Sequence, residues 1–189
     1  YVNNENPYAV CYTGDIMDFY SVENYNFIKT EIAKTTAPFV YTMGNHETPA
    51  NNYEKMPGVK NTEFSVLEFD DFELVSIDNS QGFYSDNQYN LLLAETKKNK
   101  PIIIVQHVPI VTSYNKKSEL ADCGKYYYMD GSESTINKSV IGLICNNENI
   151  KLVLSGHIHG ATNTEIAEGK YQLTCSSGLM GNVNRIKIR

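Results

Sequence analysis

The sequence predicts an α/β fold built on parallel sheet, and two observations carry that prediction. Short runs of consecutive apolar residues alternate with stretches whose apolar residues recur every three or four positions. Four of the apolar runs end directly in a loop holding Asp, Asn or His. In parallel sheets the ligand crevice lies beyond the carboxyl ends of the strands, where such loops gather.

Taken in order, Ala9–Thr13 reads as a buried strand that ends at Gly14-Asp15. Ser21 is a predicted cap for a helix running to about Lys34, with Val22, Tyr25, Ile28 and Ile32 on one face. Pro38 stops that helix, and Phe39–Met43 forms the next strand, ending in Gly44-Asn45-His46-Glu47. A polar loop is expected from Thr48 to about Asn61. Phe64–Phe69 and Phe72–Ile77 then read as paired strands with an Asp70-Asp71 corner. Ser85 and Gln88 have the spacing of a capping box for a helix from Asn87 to about Lys98. Pro101 opens a strand, Ile102–Gln106, that leads into His107. A long loop is expected from Val108 to about Gly131, carrying Tyr126-Tyr127-Tyr128. Ser132 is the predicted cap of a helix to about Asn146, with Ile136, Val140, Leu143 and Ile144 inward. Lys151–Ser155 is a strand ending at Gly156-His157-Ile158-His159, and further strands are expected near Tyr171–Cys175 and Arg185–Ile188.

At 189 residues and 21.3 kDa the chain is sized for one domain, residues 1–189. With 41% hydrophobic and 20% charged residues it can bury a core, which excludes a disordered chain. No run approaches the ~18 apolar residues of a membrane span. The net charge of −6 argues against a nonspecific nucleic-acid binder. It leaves an anionic substrate open, because a bound metal inverts the local field. Cys11, Cys123, Cys145 and Cys175 form no C-x-x-C pair and are expected as free thiols. No basic n-region or apolar signal segment is found within this chain, whose true start is expected to be missing, so the compartment stays open with a lean toward the cytoplasm.

The histidines carry most of the functional argument. All four, His46, His107, His157 and His159, lie just past a predicted buried strand. Neutral imidazole is a common metal ligand and suits zinc, iron and similar ions. Asp15 and Asn45 each follow a glycine at a predicted strand end, Asn45 beside His46, and add a carboxylate and an amide oxygen. A carboxylate has two oxygens and can bridge two cations, whereas H-x-H alone is a weak signal.

Gly14-Asp15-Ile16-Met17-Asp18 fits G-D-x-x-D, Gly44-Asn45-His46-Glu47 fits G-N-H-E, His107 with Pro109 fits H-x-P, and Gly156-His157-Ile158-His159 fits G-H-x-H. Four motifs in this order resemble the calcineurin-like metallophosphoesterase superfamily. Asp78, Gln88 and Leu91-Leu92-Leu93 in the connecting segment are similar as well, so the resemblance runs from about Ala9 to the end. It implies a four-layer α/β/β/α sandwich. It also implies Asp15 bridging two metal ions (Mn, Fe or Zn), with Asn45, His107 and His157 completing one shell and His159 serving the other. His46 would protonate the leaving oxygen or steady the phosphate, and Asp18 would orient His46. The substrate would be a small phosphomonoester or phosphodiester attacked by a metal-activated water.

The chain departs from the family in one respect. The family's opening D-x-H motif, which ligates the same ion as His159, has no match here. Either the first βα unit is missing from this chain, which Tyr1 in place of Met favours, or the chain is a member built without it. As it stands the chain offers full ligation to one ion only, so weak occupancy of the second position and poor activity are expected. Asp18 also stands where purple acid phosphatases place a Tyr ligand, which disfavours that branch. The competing readings are a scaffold module that kept the fold without turnover, and a nuclease, which the net charge opposes. The Tyr126–Tyr128 run and the Thr48–Asn61 loop are candidate walls for a substrate; for the tyrosines, packing or exposure is the commoner role.

Overall fold

A computed structural model describes residues 2–47, 63–178 and 181–188. The elements are β1 (Val10–Tyr12), α1 (Val22–Ile32), β2 (Phe39–Tyr41), β3 (Phe64–Glu68), β4 (Glu73–Ile77), α2 (Asp86–Glu95), β5 (Ile102–Val105), α3 (Glu119–Asp122), α4 (Thr135–Asn146), β6 (Ile150–Ser155), β7 (Thr162–Ala167) and β8 (Lys170–Thr174). They form two sheets. β1 and β2 pair in parallel, and six strands run in the order β3-β4-β5-β6-β8-β7. Within the larger sheet the inner pairs from β4 to β8 are parallel and the two outer pairs antiparallel.

Three apolar clusters separate four layers. Val75, Ile77, Ile102, Ile104 and Val153 on one face of the large sheet pack against Leu92 of α2 and Val140, Ile141 and Ile144 of α4. The opposite face, through Leu74, Ile103, Val105 and Leu154, packs on Val40 and Cys11 of the small sheet. Tyr41 and Met43, with Met17, meet Tyr25 and Ile28 of α1 on the far side. The alternation of side chains along a strand produces this directly, since successive residues of β4 and β5 face opposite layers. The result is the α/β/β/α sandwich the motifs implied. Two hydrogen bonds tie the sheets together: Ser76 Oγ donates to Tyr41 O at 2.8 Å, and Thr42 Oγ1 donates to Ile77 O at 2.9 Å.

Most predicted elements are present. The Asp70-Asp71 corner joins β3 and β4. The Ser85–Gln88 box is formed on both sides, and Ser21 caps α1 by accepting from the Asn24 amide. Five expectations change. Val22 is exposed, so α1 docks through Tyr25 and Ile28 rather than a full stripe. Ser134, not Ser132, caps α4 by accepting from the Asn137 amide at 3.0 Å. The Ser132 amide is already engaged by Asp130 Oδ1, and Glu133 accepts from the amides of Asp130 and Gly131. These bonds hold a separate turn just before the helix. The 108–131 loop contains α3 and a 3-10 turn, Lys125–Tyr127. β7 was not anticipated, because an edge strand of sequence TNTEIA has little apolar alternation. Residues 185–188 form no strand. The loop expected over 48–61 lies outside the described residues. All four cysteines are free thiols. Among the described residues no helix is long and apolar enough to cross a membrane.

Candidate metal centre

Both sheets end their parallel strands on the same edge. The segments after β1, β2, β5 and β6 bring Asp15, Asn45, His107 and His157 together there. His107 is fully buried and forms the hub. Its Nδ1 lies 2.7 Å from Thr13 O. A carbonyl only accepts, so Nδ1 is the donor of this pair, and Nε2 is the nitrogen turned toward the other candidate ligands. Around that Nε2 stand Asn45 Oδ1 at 3.0 Å, His157 Nδ1 at 3.0 Å and Asp15 Oδ2 at 3.3 Å. A proton on Nε2 would satisfy one of these three neighbours. A cation satisfies all of them, and lone pairs crowded without one repel. The donor set of one carboxylate, one amide oxygen and two imidazoles therefore fits a divalent transition metal. Among the described residues Asp15, His107 and His157 place ligand atoms within 4.8 Å of one another.

The outer contacts have the character of support for ligands. The remote nitrogens of both imidazoles face backbone carbonyls, His107 toward Thr13 and His157 Nε2 toward Tyr126 O at 3.4 Å. Such partners fix the tautomer and ring direction of ligating histidines. Burial, then repulsion from His107, pushes the His157 pKa down to about 4, which leaves its lone pair free at neutral pH. Burial acts to raise Asp15, but contact with His107 and the amide of His46 outweighs it and holds Asp15 below its usual range.

Backbone strain is concentrated here. Asp15, His157 and His159 have φ of 55°, 67° and 55°, the left-handed region that ordinary residues avoid. Such conformations cost about 1–3 kcal/mol each and persist only where surrounding contacts impose them. Gly44 permits the closest approach: a Cβ there would lie 2.1 Å from both the Asp15 amide nitrogen and its carboxylate. At Gly14, where φ is 86°, a Cβ would lie 2.5 Å from His107 Nδ1.

Glu47 clasps the two loops. Its buried carboxylate accepts from the amides of Asp15, Met17 and Gly44 and from the Tyr41 hydroxyl, at 2.7–2.9 Å. In the sequence Glu47 stands out only as the end of the G-N-H-E motif. Asn79 was also missed: Oδ1 accepts from the amides of His107 and Val108, both at 2.9 Å, which sets the turn after β5. Its one available signal was its place just past β4, as the other site residues lie just past their strands.

The remaining candidates surround this cluster. His46 is exposed, and its amide donates to Asp15 Oδ1 at 3.1 Å. Its Nδ1 lies 2.9 Å from the Asp18 carbonyl and 3.0 Å from the Asp18 carboxylate. The carbonyl is the leading cause that raises the His46 pKa, with Asp15, Asp18 and Glu47 adding and burial opposing. Nε2 is left for other use. His159 is exposed and falls outside the group of converging ligand atoms.

A family profile described as calcineurin-like phosphoesterase matches residues 1–161. No curated protein matches the sequence. Among solved structures, a dimetal phosphatase from Danio rerio is similar with a TM-score of 0.65 at 13% identity, covering 92% of this chain and 74% of that one. A purple acid phosphatase from yellow lupin (Lupinus luteus) seeds is similar with a TM-score of 0.61 at 14% identity, covering 91% of this chain. The chain spans 37% of the lupin protein's length. At these identities the likeness concerns the fold.

Proposed function

Since the chain belongs to the calcineurin-like phosphoesterase family, we propose that it is a metal-dependent hydrolase of small phosphate esters, mono- or diesters, acting at a two-ion site. Asp15, Asn45, His107 and His157 would hold one ion. Asp15 would be shared with a second, to which this chain offers His159. Bound divalent ions supply Lewis-acid polarisation of phosphate oxygens and a water acidified toward neutrality. The chain's own residues do the rest. Asp15 and Asn45 keep the site anionic on one side and neutral on the other. His46, gripped at Nδ1 by Asp18, presents Nε2 to the departing oxygen as a proton donor. General acid assistance of this kind contributes about 10²–10⁴ in rate.

The observation that supports this reading most is the crowding of three donor atoms at 3.0–3.3 Å around His107 Nε2. One observation favours a second reading, a binding module without turnover: His159 lies apart from the cluster, leaving the second ion few ligands. Hydrolysis of p-nitrophenyl phosphate and its bis ester, with manganese and with chelator, separates the two. Manganese-dependent turnover that Asp15→Asn abolishes supports the hydrolase. Metal binding without turnover of either ester supports the module.

A further inference from the structure

Two tyrosines stand against the candidate ligand His157. The ring centroids of Tyr126 and Tyr127 lie 5.8 and 5.6 Å from that of His157. They lie 5.1 Å from each other, nearly perpendicular at 87°. Tyr126 is 72% exposed and Tyr127 40%, against 6% for Tyr41 and 3% for Tyr84 in the core. Packing therefore does not account for the pair, since a packing role would bury the rings. Exposed apolar surface rimming a polar site is where ligands are bound.

The loop that presents them is fixed to the site at three points. Leu120 of α3 is fully buried. The Val111 amide donates to Met129 O at 2.8 Å and the Met129 amide to Pro109 O at 2.9 Å, so the loop returns against the segment just after His107. The Tyr126 carbonyl faces His157 Nε2. The lysine next to the pair is engaged elsewhere, because Lys125 Nζ contacts Asp130 at 3.2 Å and Ser132 Oγ at 3.1 Å. The Lys125–Tyr127 turn thus offers aromatic faces, with Lys125 committed to Asp130 and Ser132.

We propose that Tyr126 and Tyr127 form a stacking subsite for a planar aromatic group carried by the phosphate ester, a nucleobase or an aryl ring. This rests on the phosphoesterase reading, in which His157 is one of the ligands of an ion that takes the phosphate. The tyrosines are the aromatic rings in contact with that ligand, so a ring joined to the phosphate by one ester oxygen, or through a pentose, would meet them there. Stacking on an aromatic side chain is sequence-tolerant and recognises the π-face, so nucleobase and aryl ligands share one chemistry.

The test is equilibrium binding, by calorimetry with manganese, of two matched pairs. Adenosine monophosphate is compared with ribose 5-phosphate, and phenyl phosphate with cyclohexyl phosphate. The aromatic member should bind at least about fivefold more tightly in one pair or both, from the stacking contribution per ring. A preference confined to the first pair assigns the subsite to nucleobases, and one confined to the second assigns it to aryl groups. Tyr126→Ala with Tyr127→Ala should erase the preference without lowering the melting temperature, and the two Phe replacements should keep it. Affinities equal within about twofold in both pairs, no measurable binding of either aromatic ligand, or a preference that survives loss of both rings would overturn the proposal. The phosphoesterase reading is tested separately by turnover. Hydrolysis without an aromatic preference removes the subsite alone, and a preference without hydrolysis removes the hydrolase alone.

Discussion

His46 is anchored twice at the same nitrogen, by a backbone carbonyl that no substitution removes and by the Asp18 carboxylate. The two residues should therefore differ in weight. His46→Asn should lower kcat by about 10²–10⁴ while metal binding is retained. Asp18→Asn should cost less than about tenfold, because the carbonyl still holds the ring. Steady-state kinetics on both variants checks the ratio, and equal losses would show that the side chain alone positions His46. Glu47 makes a sharper case. Three donors converge on Oε2 and the Met17 amide meets Oε1. Glu47→Gln keeps one oxygen for the three donors but turns an NH2 toward the Met17 amide. One buried donor then loses its acceptor, at about 1–3 kcal/mol. A lower melting temperature and weaker manganese binding are expected together, from melts with and without metal. Asp15, His107 and His157 were legible as candidate ligands because a carboxylate and imidazoles just past predicted strands stand out in the sequence. Glu47 and Asn79 were not, because their partners are main-chain amides that only the fold brings near.

Among the elements, β4 carries a buried carboxylate at its start. Glu73 is buried, with Oε2 lacking a hydrogen-bond partner. Lys98 lies 3.4 Å from Oε1, and Glu95 contacts both Lys98 and Glu73. Burial, the leading cause, and the neighbouring Glu95 push the Glu73 pKa above the ordinary value of 4.5, against the pull of Lys98. The folded state then holds this proton to higher pH than the unfolded chain does. Its contribution is fully present at low pH and declines as pH rises from about 4.5 through the raised value. Glu73→Gln should flatten that decline and raise stability at neutral pH. Urea midpoints from pH 4 to 8 measure it; an unchanged slope would place the charge elsewhere. Element by element, apolar runs located β1 to β6 and the body of α4, and the Ser85–Gln88 box located α2. Signals failed where local polar contacts decided the outcome. The Asp130–Glu133 turn moved the α4 cap to Ser134, and β7 forms because its backbone pairs with β8, not because its side chains alternate.

At the scale of the whole molecule, two sheets of unequal width are locked so that both deliver their strand ends to one place. Periodicity identified strands and helices but not the layering, because which face of β4 or β5 meets which layer depends on distant partners. The α/β/β/α arrangement was readable only through four motifs in order. The site's electrostatics likewise belong to the assembled fold: a chain of net charge −6 gathers a carboxylate and three lone-pair donors at one point, which a cation resolves. Metal analysis and manganese titration of this chain after chelation test that most directly. The account predicts one tightly held ion per chain and weak uptake of a second, with the tight ion lost in His107→Ala and in His157→Ala. No retained metal, or retention unchanged by either substitution, would contradict it.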